Sequence, residues 1–204
     1  MVGPLSRRPS WVALWVTAFL FAGTPAAAQN APAAVEIAPF AGALVTSSTF
    51  DDPDSPGGFT VKSTLAGADV VYYPRSRVGV GLLAIRRAVV VGRAAERTAL
   101  SAALIGGLMK YRRPLGERSH LAVLGGAGVS TNALTTGEAD TRSTSRTTGL
   151  FAMTGATVSV TMTHHVSFDI GVRHVLNRFR TDDDAGATHA GGVVIVAGIA
   201  LWTR

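Results

Sequence analysis

The chain has 204 residues, 47% of them apolar and only 16% charged, against roughly 25% charged in an ordinary soluble domain. That balance excludes a disordered chain, and the absence of cysteine excludes disulfides, thiolate metal sites, cysteine nucleophiles and a lipid-modified cysteine anchor. The formal charge of +6 falls to +4 once Arg7 and Arg8 are removed with the leader described next, and no basic run exceeds two residues; nucleic acid is not an expected partner.

The N-terminus reads as a secretory address. Arg7 and Arg8 precede the apolar run Trp11–Phe21, Gly23 and Pro25 break it, and Ala26-Ala27-Ala28 stands before Gln29. Basic start, short apolar middle and small-residue end are the parts of a cleaved signal. An apolar run of this length is too short to cross roughly 30 Å of hydrocarbon as a helix. We expect residues 1–28 to be a signal peptide, 29–34 a short mature tail, and 35–204 one all-β domain.

Eight segments follow that read as β-strands, being rich in Val, Ile, Thr, Gly, Tyr and Phe. They are Val35–Thr46, Ala66–Tyr73, Val78–Ile85 (with a possible continuation to Val91), Ala99–Lys110, Ser119–Ser130, Leu150–Met162, Val166–Phe179 and Gly192–Thr203. Period two identifies them. In the seventh, Val166, Phe168, Ile170 and Val172 alternate with Ser167, Asp169, Gly171 and Arg173. In the last, Val193, Ile195, Ala197, Ile199 and Leu201 share one face. The fourth is apolar on both faces, so its phase stays open; Arg86 and Arg87 mark a possible bulge at the end of the third.

Glycine adds an independent signal. Gly42, Gly67, Gly79, Gly81, Gly106, Gly126, Gly128, Gly155, Gly171, Gly192 and Gly198 fall opposite the apolar face, while Gly107 and Gly125 do not. A narrow eight-stranded barrel has little interior room, and small residues crowded on its inner face are what it needs. The connections alternate as well: short at Pro74–Arg77, Tyr111–Arg118 and Thr163–His165, long and polar at Ser47–Leu65, Gly92–Thr98, Thr131–Gly149 and Arg180–Gly191. Short turns alternating with longer loops on an even strand count are the layout of an antiparallel up-and-down transmembrane β-barrel.

Face parity then nominates candidate residues. Glu36, Asp69, Asp169 and Arg173 fall inward, and with Arg87 and Lys110 they are expected to form a polar network in the lumen. Lys110 is the expected cation for Glu36 and Asp69, all three lying near the short-turn end, whereas Arg173 is expected to reach down to the level of Asp169 or to bind loop carbonyls. Tyr72, Tyr73, Tyr111 and Trp202 sit at the short-turn end, where an aromatic girdle belongs. Two acidic clusters, Asp51-Asp52-Asp54 and Asp182-Asp183-Asp184, lie in the first and last long loops. The first only half matches a calcium-binding loop, so the expected reading is solvated loop charge. No metal, cofactor or catalytic residue is expected.

With these features the chain resembles the small eight-stranded outer-membrane β-barrel family, the OmpA/OmpX-like, porin-like transmembrane domain. The resemblance rests on Val35-Glu36-Ile37-Ala38-Pro39-Phe40-Ala41-Gly42, on Tyr72-Tyr73-Pro74, on Gly106-Gly107-Leu108-Met109-Lys110-Tyr111 and on the last strand. It implies a place in the bacterial outer membrane, contact with its lipids and lipopolysaccharide, insertion by the barrel-assembly machinery, and a monomer. Family members usually end on an aromatic residue; here Thr203 and Arg204 follow Trp202. The expected function is non-enzymatic: a structural or interaction role, or a narrow pore with a polar lumen. A lipid A-modifying enzyme is one alternative. Lipid A deacylases of this size, which the chain resembles less closely, use a His and a Ser two residues apart; here Leu176 follows His174 where the serine would stand, so the base lacks a nucleophile. A soluble lipocalin-like barrel is another, which needs a polar outside.

Overall fold

The computed structural model describes residues 33–47, 60–74, 77–92, 97–136, 143–180 and 187–203. Residues 1–28, expected as a signal peptide, residues 29–32 of the expected mature tail and both acidic clusters lie outside the described residues. Eight strands form one closed antiparallel barrel in sequence order: β1 Ala34–Ser47, β2 Thr60–Tyr73, β3 Val78–Gly92, β4 Arg97–Pro114, β5 Ser119–Thr136, β6 Ser143–Thr163, β7 Val166–Arg180 and β8 Ala187–Thr203. β1 pairs with β8 to close it, with Phe40 opposite Gly198 and Glu36 opposite Trp202. Every strand is therefore paired on both sides, which removes the open sheet edges that a bilayer cannot satisfy. The barrel's turn end carries the first residue of β1, the last of β8 and the three short turns; we call the opposite end the loop end.

Alternation decides which way each side chain points. Ile170 and Val172 on β7 are about half exposed, whereas Asp169 and Arg173 beside them are buried. The outer surface carries Leu82, Ile105, Val129, Leu150, Ile195 and Ile199, all largely exposed. An apolar exterior of this extent has no place in water, and it removes the soluble lipocalin-like alternative. β4, whose phase the sequence leaves open, turns Leu100, Ala102, Leu104, Leu108 and Lys110 inward.

The glycine pattern has a direct steric cause. A methyl group at Gly81 would overlap the Val70 carbonyl, and one at Gly106 would overlap the Ala127 carbonyl, whereas a methyl at Gly107 would meet nothing. On the tightly curved inner surface there is no room for a Cβ at these points; on the outer surface there is.

The strands are longer than period two suggests. The segment 131–149, expected as a polar loop, is mostly a continuation of β5 and β6, with Thr131 opposite Thr148 and Thr136 opposite Ser143. β4 also outruns its expected bounds, from Arg97 to Pro114, and its Ala99 pairs with Thr135 of the lengthened β5. Threonine favours pleated structure, and above the apolar belt polar residues are tolerated on both faces. Alternation then fades from the sequence although the ladder continues. β2 and β8 likewise start earlier than expected, at Thr60 and Ala187.

Candidate functional site

The lumen is the one place where the fold gathers buried polar chemistry among the described residues, and it is layered. At the turn end, Tyr73 of β2 and Trp202 of β8 stack with ring centroids 5.6 Å apart. The guanidinium of Arg112 lies 4.1 Å from the Trp202 ring centroid and 5.7 Å from that of Tyr73, within cation–π range. Trp202 Nε1 donates to Ser167 Oγ at 2.8 Å, and Tyr73 Oη donates to Glu36 Oε2 at 2.8 Å. These two aromatics therefore turn inward and close the lumen. Tyr73 and Trp202 depart from the girdle expectation: the ring of Tyr73 fills the space left by Gly79, whose Cβ would fall 2.7 Å from it. Tyr72 is about half exposed on the outer face and Tyr111 is half-buried.

Two ion pairs form the next layer. Lys110 Nζ pairs with Glu36 Oε1, both side chains almost wholly buried. Arg173 grips Asp69 through two parallel bonds, Nη1 to Oδ1 at 3.1 Å and Nη2 to Oδ2 at 2.7 Å, the fork geometry that makes Arg–carboxylate pairs strong and directional. Its guanidinium also lies 3.7 Å from the Phe40 ring centroid. Lys110 thus takes Glu36 alone and leaves Asp69 to Arg173, contrary to the single shared cation expected. Asp169 is buried in the same layer, where Ser159, its cross-strand neighbour, donates to it.

Above this layer the lumen is apolar. Leu65, Leu83, Ile85, Leu104, Met153 and Val194 pack together with at most 3% exposure. The polar lumen expected from β7 therefore holds only in bands, because the inner faces of β3, β4 and β8 bring leucine, isoleucine and valine to the middle.

Nearer the loop end a second polar band appears. Ser130 donates to Asn177 Oδ1 at 2.7 Å, Asn177 donates to Asn132 Oδ1 at 2.6 Å, and Asn132 donates to Ser130 Oγ at 2.9 Å. This closed ring of three buried side chains satisfies each in turn, as a low-dielectric interior requires. Arg87 lies at this level, not with the ion pairs, and donates to Ser63 Oγ and the Gly191 carbonyl. Val89, Leu100 and Phe179 pack as a small apolar cluster beyond it. The ring was missed in the sequence because Asn132 falls in a stretch read as loop; extending the parity of Gly126, Gly128 and Ser130 by one step would have placed it inward. Arg112 and Ser63 were missed because both fall in segments read as connections, whereas Ser159 lies on the inward parity of its strand but carries no charge to single it out.

The ion pairs and the Ser130–Asn132–Asn177 ring tie the barrel together across its bore. Among the described residues no group of three or more His, Asp or Glu is placed to hold a metal. His174 is exposed on the outer face, opposite Thr154 and Val193.

No protein-family model matches the chain, and no curated protein matches it in sequence. Solved structures do. The neisserial surface protein A, NspA, superposes with a TM-score of 0.50 at 18% identity, over 84% of this chain and 99% of that one. Ail, the attachment invasion locus protein of Yersinia pestis, gives 0.48 at 10% identity over 85% and 100%. The N-terminal β-barrel domain of Pseudomonas aeruginosa OprF gives 0.46 at 14% over 86% and 99%. At these identities the likeness is one of fold. Its closed antiparallel strands, apolar exterior and short turns make the chain a small eight-stranded β-barrel of the outer-membrane type.

Proposed function

We propose that this protein is a non-enzymatic outer-membrane barrel with a plugged bore, serving a structural or interaction role at the bacterial surface. One observation carries the reading. The lumen is filled from the Tyr73–Trp202 stack through the two ion pairs and the apolar band to the Ser130–Asn132–Asn177 ring. A conducting pore needs a continuous wet path, and eight strands leave a bore that side chains nearly fill. The exterior supports a bilayer setting, since outward Leu, Ile and Val cover the strands and find their solvent in lipid. Outer-membrane lipids and lipopolysaccharide are then the immediate partners, assembly machinery acts during insertion, and the closed sheet asks for no second copy. The turn end faces the periplasm and the loop end the outside.

The test is planar-bilayer conductance of the refolded protein. The expected result is no resolvable single-channel steps under conditions in which a wide porin conducts. Regular openings from the unmodified protein would overturn the plugged reading and restore the narrow pore.

A further inference from the structure

Three buried polar atoms in the ion-pair layer have no hydrogen-bond partner within the protein: Thr157 Oγ1, Asp169 Oδ1 and Arg173 Nε. They belong to β6 and β7, and all three residues are at least nine-tenths buried. The three residues also line one cavity of about 10 Å³, together with residues of β1 and β8 that include Phe40 and Gly198. Three unpaired polar groups in a packed interior are costly one by one, and native interiors seldom leave them so. Their convergence on a single void is what requires explanation.

We propose that this cavity is a binding site for one ordered water molecule, which joins the Asp69–Arg173 pair to Asp169. Size sets the first limit, since about 10–15 Å³ of such space accommodates one water and nothing larger. Chemistry sets the second. Arg173 Nε–H only donates, ionised Asp169 Oδ1 only accepts, and the Thr157 hydroxyl does either. A metal cation is disfavoured by the guanidinium donor, and an anion is repelled by the carboxylate. Water alone accepts from Arg173 while donating to Asp169, and it keeps a further bond for Thr157. Two or three polar partners are what a buried water ordinarily has.

The sequence provides the room. Gly198 stands directly opposite both Asp169 and Phe40 in the ladder. A methyl there would overlap the Pro39 carbonyl and come 3.0 Å from Phe40 Cβ. Gly171, between Asp169 and Arg173 on the inward face, would with a methyl approach Thr157 Oγ1 to 2.7 Å. Either side chain would crowd the cavity. The bridge also links two charges of one strand that are four residues apart, roughly 13 Å in Cα terms, through the downward reach of Arg173.

A crystal structure of the folded protein, at a resolution that places solvent, tests this. The expected result is one density peak of water weight within roughly 2.6–3.2 Å of all three atoms. An empty cavity, or Asp169 Oδ1 turned onto a direct protein donor, would overturn the proposal. A solution test uses the near-isosteric Thr157→Val and Asp169→Asn, singly and together. A shared water predicts that their effects on the folding equilibrium constant are coupled by at least about twofold. Strict multiplication of the two effects would count against it.

Discussion

Removing the carboxylate of Asp69 is the sharpest test of how the lumen is held. Asp69 is fully buried, and its two oxygens take both bonds of the Arg173 fork. In Asp69→Leu the guanidinium keeps its Phe40 contact but loses both bonds to its directly paired counter-charge. An uncompensated buried charge left by deleting one partner costs about 3–5 kcal/mol. Replacing the pair together, as Asp69→Leu with Arg173→Met, removes both desolvation costs along with the attraction, and such exchanges are often neutral or stabilising. The double variant should therefore be markedly more stable than Asp69→Leu alone, with a coupling of about 2 kcal/mol or more. Urea unfolding in lipid bilayers, followed by tryptophan fluorescence and by the mobility difference of boiled and unboiled samples, measures all four corners of the cycle. If the single variant loses under about 1 kcal/mol and the two substitutions add, the charges are solvated independently. The packed-lumen argument then fails with them.

Further expectations follow from other layers. Ile170→Arg places a charge on the outer face and should cost about 2–4 kcal/mol if the site lies near the bilayer midplane, measured by the same unfolding; a near-neutral Ile170→Arg would refute the face assignment. Asn132→Ala opens the Ser130–Asn132–Asn177 ring and leaves two buried groups short of a partner, for a loss of about 1–3 kcal/mol; Thr131→Ala on the exposed face beside it should stay within about 0.5 kcal/mol. Gly81→Ala should fail to give the heat-modifiable folded band on gels, because its methyl has no room beside the Val70 carbonyl, whereas Gly107→Ala should fold normally. Mass spectrometry of the mature protein should find Gln29 at its start.

The sequence by itself determined the architecture because a strand's facing is a local matter. Successive side chains alternate whatever the partner strand, so Ile170 outward and Asp169 inward could be read from β7 alone, and the glycines opposite the apolar residues marked the crowded inner surface. The inward placement of Glu36, Asp69, Asp169 and Arg173 was legible for the same reason. Which of them meet was not. Arg173 and Asp69 are 104 residues apart, and their contact depends on how far each strand is staggered when β1 closes on β8. A two-residue change in stagger would move Arg173 away from Asp69 while leaving every parity intact. The same closure turned Tyr73 and Trp202 from an expected girdle into a stack across the bore, since both sit on inward parity and only the space at Gly79 let the Tyr73 ring lie down. It also carried β5 and β6 beyond the apolar belt, where the constraint that writes alternation into a sequence, one face in lipid and one in the lumen, no longer acts.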